Sequence, residues 1–223
     1  MSNKARFLTA VGAAAAVVAL AAPSATAGPT AAWNVTPTGN FTGTAGVTTL
    51  TDNIGNAIQC ATASANGNAP ASPTAGPLLA NITAASFNSP CTGPFGSTWT
   101  VSAVTPWTIN GNTPGGYAAG AGTNGTGKTT GWIGGIQATV TGTSVLGPCT
   151  FKVTGTVDAV YNNPSTGGAN GTLAVAPAAT SPRLLTIGSK TGAGCSIVGA
   201  TATFKGTYTV KHTSGVSPVI TYS

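Results

Sequence analysis

From Ala200 to His212 the chain alternates by residue type. Ala200, Ala202, Phe204, Gly206, Tyr208 and Val210 are small or apolar, and Thr201, Thr203, Lys205, Thr207, Thr209 and Lys211 between them are polar. A period of two sends the first set to one face of an extended strand and the second to the other. The pattern recurs in Thr150 to Tyr161, where Phe151, Val153, Gly155, Val157 and Ala159 oppose Lys152, Thr154, Thr156 and Asp158. Ile136, Ala138 and Val140 alternate with Gln137, Thr139 and Thr141, and Thr98 to Ala103 turns Trp99 and Val101 inward. Alternation with one apolar face predicts antiparallel sheets with a solvated outer side.

Gly and Pro interrupt these stretches every 8–15 residues or so, the rhythm of a sandwich or barrel. Asn53 to Asn56 reads as a turn between Val47–Thr51 and a strand carrying Ile58 and Cys60. Asn162 to Gly168 reads as a turn before a strand around Leu173 to Val175. Ala65 to Pro77 and Gly111 to Thr130 are expected loops. No amphipathic helix is evident after residue 27. The expected fold is all-β, an antiparallel β-sandwich or barrel of roughly ten to twelve short strands with two disulfides, preceded by a helical signal peptide.

Lys4 and Arg6, the apolar run Phe7 to Ala22 and the small-x-small site Ala25-Thr26-Ala27 read as an export signal over residues 1–27. No twin arginine precedes the apolar run, so the general secretory route is expected. With no Cys near the cleavage site, lipid attachment there is not expected. Residues 28–223 then form a single extracellular domain, with no further run long enough to span a bilayer as a helix. Its six basic side chains, Lys128, Lys152, Arg183, Lys190, Lys205 and Lys211, stand against Asp52 and Asp158, a net charge of +4. The cations are dispersed, so no nucleic-acid partner is expected.

Cys60, Cys91, Cys149 and Cys195 are an even set in an exported chain and read as two disulfides. Sequential pairing, Cys60–Cys91 and Cys149–Cys195, closes the shorter loops and is the expected connectivity. A zinc site fails on spacing, because there is no CxxC and the single histidine is remote from every pair.

Asp52 and Asp158 are the only side-chain carboxylates, and His212 is the only histidine. Most catalysis draws on acids, bases or metal ligands, so no enzyme activity, metal or cofactor is expected. A triad from His212 and one Asp lacks a nucleophile elbow. A glycosidase pair would use both acids, and each has a local alternative. Asp52 precedes a turn Asn and is expected to cap it, and Asp158 sits on the outer strand face where Lys152 or a neighbour can pair with it. Gly122 to Thr129 matches the phosphate-loop string GxxxxGK[ST]. It lacks a preceding buried strand, a following helix and an acidic magnesium partner. Five Asn-x-Thr sequons, at Asn34, Asn40, Asn81, Asn124 and Asn170, are expected to stay unmodified in a chain with a bacterial style of signal.

Trp33, Trp99, Trp107 and Trp132 are the largest side chains. A core rich in Ala and Gly needs them, whereas an exposed Trp can stack on a sugar. Trp107 and Trp132 flank the Gly-rich segment and are expected to border a groove. With His212 they are the candidate binding residues.

Trp33-Asn34-Val35-Thr36-Pro37, Phe41-Thr42-Gly43-Thr44, Thr49-Leu50-Thr51-Asp52, Cys91-Thr92-Gly93-Pro94 and Ala202 to Val210 together resemble a group of secreted, β-rich actinobacterial proteins of unknown function. The resemblance spans most of the chain after residue 27 and implies a fold, with no active site to carry over. Composition and two disulfides are also similar to those of the small actinomycete apoproteins that carry enediyne chromophores. Those are shorter and acidic and have tighter disulfide loops.

The functional expectation is a non-enzymatic extracellular protein. Its neutral Thr, Ser and Asn faces suit a cell-wall polymer, a glycan or another copy of the chain. The alternatives are a small-molecule carrier with a pocket between sheets near Trp107 and Trp132, and a hydrolase using His212. An integral membrane barrel is disfavoured, because its outer face would be apolar.

Overall fold

The computed structural model describes residues 31–74, 76–113, 115–122, 126–165 and 168–223. The expected signal peptide lies outside the described residues. Sixteen strands follow in chain order: β1 (Trp33–Thr36), β2 (Gly39–Ala45), β3 (Thr48–Asp52), β4 (Ala57–Cys60), β5 (Ala63–Ala69), β6 (Leu78–Phe87), β7 (Cys91–Thr92), β8 (Thr98–Ala103), β9 (Trp107–Gly111), β10 (Tyr117–Ala118), β11 (Lys128–Ser144), β12 (Gly147–Asn162), β13 (Gly171–Val175), β14 (Leu185–Thr191), β15 (Thr201–His212) and β16 (Val219–Tyr222). Two 3₁₀ turns, Pro94–Gly96 and Ala193–Ile197, are the helical elements of the described residues.

Pairing joins thirteen of these strands into eight ribbons, while β10 pairs with the start of β11 and β1 with β16. β2 and β3 lie end to end along β15, with Ala45 opposite Tyr208 and Thr49 opposite Lys205. In the same way β4 continues into β5, β6 into β7, β8 into β9, and β13 into β14. β11, β12 and β15 run unbroken through the full height. Each ribbon pairs antiparallel with the one before and after it, and the first, β2/β3, pairs with the last, β15. The sheet therefore closes into an eight-ribbon up-and-down barrel. The strand count exceeds the expected ten to twelve because five ribbons are interrupted at mid-height and because β1, β10 and β16 lie outside the ribbons. Pro90 separates β6 from β7 and Pro106 separates β8 from β9, since proline has no N–H for the ladder. The excursion 176–184 separates β13 from β14.

One bulge changes which side chains face the lumen. Between Ile133 and Ile136 the β11–β12 register shifts, and Gly135 sits at φ 69°, in the left-handed region open to glycine. Inward positions are odd before the bulge (Thr129, Gly131, Ile133) and even after it (Ile136, Ala138, Val140). The lumen is apolar, with Phe41, Ile82, Trp107, Val140, Phe151 and Val153 all buried. The outer wall exposes Thr42, Thr44, Thr141, Lys152, Thr154 and Thr207, the reverse of a membrane-spanning barrel. No helix among the described residues is long and apolar enough to cross a membrane.

Both ends are closed. At the upper end β1 pairs with β16, and Trp33 packs on Tyr222 with ring centroids 4.8 Å apart. Asn163 clamps this ribbon by accepting the N–H of Ile220 and donating to its carbonyl, both at 2.8 Å. At the lower end Trp99 and Phe151 fill the floor. The disulfides are Cys60–Cys91 and Cys149–Cys195, as expected from the sequence, and both brace this lower half. Two expected loops are shorter than read. Ala65 to Ala69 belongs to β5, and the segment from Gly111 to Thr130 contains the end of β9, all of β10 and the start of β11.

Candidate functional site

The long β11–β12 hairpin and its neighbours present a broad outer wall on which rows of hydroxyls are in register. Thr100, Thr141, Thr150 and Thr191 face one another across β8, β11, β12 and β14. The Thr150 hydroxyl donates to the Thr141 hydroxyl at 3.3 Å, and the Thr100 hydroxyl to the Thr141 carbonyl at 3.2 Å. A second row runs Gln137, Thr154, Thr186 and Thr201, and a third runs Ser102, Thr139 and Lys152. Alternation aims these side chains outward, and β-branched Thr suits the strand as well as the hydroxyl surface.

The same wall carries Trp132. Its neighbours in register are Asn110 and Asp158. Trp132 occupies an even position before the bulge, so it points outward. Trp107 points inward, where its indole N–H donates to the Val104 carbonyl at 2.8 Å. The two indoles thus stand on opposite sides of the wall and border no common groove. The sequence spacing that placed them together ignored the parity change at Gly134–Gly135.

Asp158 lies on the outer face, as read, yet it is buried because the excursion 176–184 folds over it. Its partner is Arg183, not Lys152: the guanidinium donates to Oδ1 at 2.6 Å, and the backbone N–H groups of Arg183 and Ala178 donate to Oδ2 at 2.8 and 3.1 Å. Burial alone would raise the Asp158 carboxyl. The two backbone N–H groups and the guanidinium outweigh it and hold the group below its ordinary value. The same guanidinium lies over the Trp132 ring, 4.8 Å from its centroid. Sequence reasoning missed Arg183 because the contact depends on a long-range loop excursion.

His212 ends β15 opposite Phe41 and shares hydrogen bonds with Ser214, whose N–H and hydroxyl both meet Nδ1. Asp52 faces Ala202 at the other end of the same strand, about 33 Å away at the usual strand rise. Asp158 lies near the level of Gly206, about 20 Å along the sheet. No acid–base pair is assembled with His212. Asp52 caps its turn as read, accepting from the backbone of Ile54 and Asn56 and, across to the next connection, of Gly199. In the phosphate-loop string, residues 123–125 lie outside the described residues, and Lys128 and Thr129 begin β11 instead of a helix. Among the described residues no three His, Cys, Asp or Glu side chains group as metal ligands.

Among the described residues, two apolar cavities lie inside the barrel. One, of about 70 Å³, is lined by Trp107, Ile133, Ile136, Leu185, Phe204 and Thr48. The other, of about 60 Å³, lies under the β1/β16 ribbon among Phe41, Ile82, Tyr161, Tyr208 and Ile220. Small inward residues such as Ala138 and Ala65 leave this space. Burial raises the phenols of Tyr161 and Tyr208 well above the ordinary tyrosine range. Tyr161 donates to the Pro218 carbonyl at 2.6 Å. The Thr48 hydroxyl is buried with no hydrogen-bond partner among the described residues. Comparison with protein-family models, with curated proteins and with solved structures gives no match.

Proposed function

We propose that this chain is an exported, non-enzymatic module whose outer barrel wall holds a neutral glycan or cell-wall polymer. The carrying observation is the set of hydroxyl and amide rows across β8, β11, β12 and β14. Repeating donors and acceptors match a repeating polymer of hydroxyls, and a surface with few charges gives up little ionic hydration on contact. Trp132 adds an aromatic edge at the top of this wall. The association with secreted actinobacterial proteins belongs to the same proposal.

Retention on purified cell-wall polysaccharide tests it. Retention should persist in high salt, because no ion pair carries the contact. T141K together with T150K puts two cations in the central row and should abolish retention. Failure of the unaltered protein to bind any wall fraction, or equal retention of the double variant, would refute the reading.

A second reading, a carrier for a small apolar molecule, is favoured by the two lumen cavities and the unpartnered Thr48 hydroxyl. Each cavity is well below the roughly 150 Å³ that accommodates benzene in an engineered apolar cavity. The outer wall is therefore the better-supported site.

A further inference from the structure

Three hairpin turns at the lower rim carry large apolar side chains that nothing in the described chain covers. Ile54 stands in the β3–β4 turn, Phe95 in the β7–β8 turn, and Val145 and Leu146 in the β11–β12 turn, exposed by 60%, 80%, 67% and 52%. Alternate connections of an up-and-down barrel emerge at the same rim. These turns are therefore three of the four lower connections, and the fourth is the 3₁₀ turn Ala193–Ile197. Turn tips favour Gly, Asn, Asp and Ser, so a ring of Ile, Phe, Val and Leu marks a contact surface. Phe95 is held outward at φ 56°, a conformation that bulky residues rarely adopt. Half-buried Pro94 beside it lines a small cavity of about 20 Å³ at the floor, together with Trp99 and Phe151. The two disulfides brace the strands and the 3₁₀ turn that support the ring.

Charge decides what the ring meets. The chain's only two side-chain carboxylates, Asp52 and Asp158, are buried and hydrogen-bonded. After residue 27 six cations stand against these two buried carboxylates, so the exposed side-chain charge is in net cationic. At this rim, where Asp52 is buried, the exposed ion is Lys190, which donates to the Val198 carbonyl. A second copy would bring the same sign of charge to the contact, whereas an acidic lipid surface brings the opposite one. We propose that the lower rim docks on an anionic lipid surface. Phe95, Leu146, Val145 and Ile54 enter the boundary between headgroups and acyl chains, and Lys190 lies among the headgroups. This docking is independent of the polymer contact on the outer wall.

Co-sedimentation with phosphatidylglycerol vesicles, against phosphatidylcholine vesicles, tests the proposal. The chain is used without residues 1–27, whose removal leaves every described element in place. Binding should favour phosphatidylglycerol and weaken with salt. The double variant F95S/L146S, checked for an unchanged near-ultraviolet dichroism spectrum, should bind about tenfold less or weaker still. V216S, at the opposite end, should bind as the parent does. The proposal is overturned if the parent ignores phosphatidylglycerol vesicles or if the rim variant binds equally well. It is also overturned if the parent self-associates through the rim without binding vesicles, which assigns the ring to a second copy.

Discussion

Substituting Asp158 by Asn keeps the shape of the side chain and removes its charge, so it isolates the clip that folds the 176–184 excursion over the outer wall. The carboxylate accepts three hydrogen bonds: from the Arg183 guanidinium at 2.6 Å, the Arg183 backbone at 2.8 Å and the Ala178 backbone at 3.1 Å. In the variant one amide oxygen still serves the two backbone N–H groups, but as a neutral acceptor. The new amide NH₂ faces the guanidinium donor to donor. Hydrogen bonds to charged groups contribute about 1.5–3 kcal/mol and neutral ones about 0.5–1.5. Arg183 is 36% exposed, so its share falls at the low end. The expected loss is about 2 kcal/mol, which lowers Tm by about 4–8 °C in a domain of this size. The pH dependence follows from the depressed carboxyl. Stability from Asp158 is fully present above the unfolded carboxyl value of about 3.9 and is lost as pH falls through the lower folded value. The gap between parent and variant should hold constant from neutral pH to about pH 5 and close in the acid range below about pH 4. Thermal melts across that range read it directly. A variant as stable as the parent at neutral pH, or a gap that persists undiminished into strong acid, refutes the assignment.

Thr48→Val should raise stability by about 1–3 kcal/mol in urea unfolding, because it removes a buried hydroxyl that lacks a partner; a loss of stability would mean the hydroxyl is satisfied. Replacing Cys60 and Cys91 by Ser, or Cys149 and Cys195, releases loops of 31 and 46 residues. Each pair should cost about 4 kcal/mol on the chain-entropy relation, measured by denaturant midpoint. In alkaline titration followed by absorbance, Tyr161 and Tyr208 should ionise only above the ordinary tyrosine range, together with unfolding. The sign follows from the raised folded values: their contribution is complete below about pH 10 and is lost as pH climbs. Y161F should shrink that late signal.

Strand content, the inward faces of β12 and β15 and both disulfide pairs were legible because each depends on local alternation or on loop length. Ring closure was not, since the β2/β3 pairing with β15 joins residues far apart in sequence. The side of the wall reached by Trp132 was also hidden. A two-residue glycine bulge moves every later inward position of β11 by one, and nothing in the letters Gly134-Gly135 distinguishes a bulge from ordinary strand glycine. The same limit explains Asp158, whose strand face was read correctly while the loop that buries it was not. Asp52 was easier, because its capping partners Ile54 and Asn56 lie within four residues.

Closure also accounts for how so weakly charged a surface can be carried by a β protein. Open sheets protect their edges with charged residues, prolines or bulges, since an unpaired edge invites another strand. Here the first and last ribbons pair with each other, so the barrel has no open edge to defend with charge. The outer positions are then free to be threonine, and both carboxylates are free to serve as internal clips, one at the lower rim and one under the 176–184 excursion. A barrel with those acids moved to the wall would have the same ladder of backbone bonds, but it would lose the neutral hydroxyl rows. Opening the ring should therefore expose the cost of low charge. Deleting β15 removes the partner of β2 and β3 and leaves two threonine-rich edges, and the truncated chain is expected to aggregate. A soluble, monomeric truncation, read by light scattering, would mean that closure is not what keeps this surface from pairing.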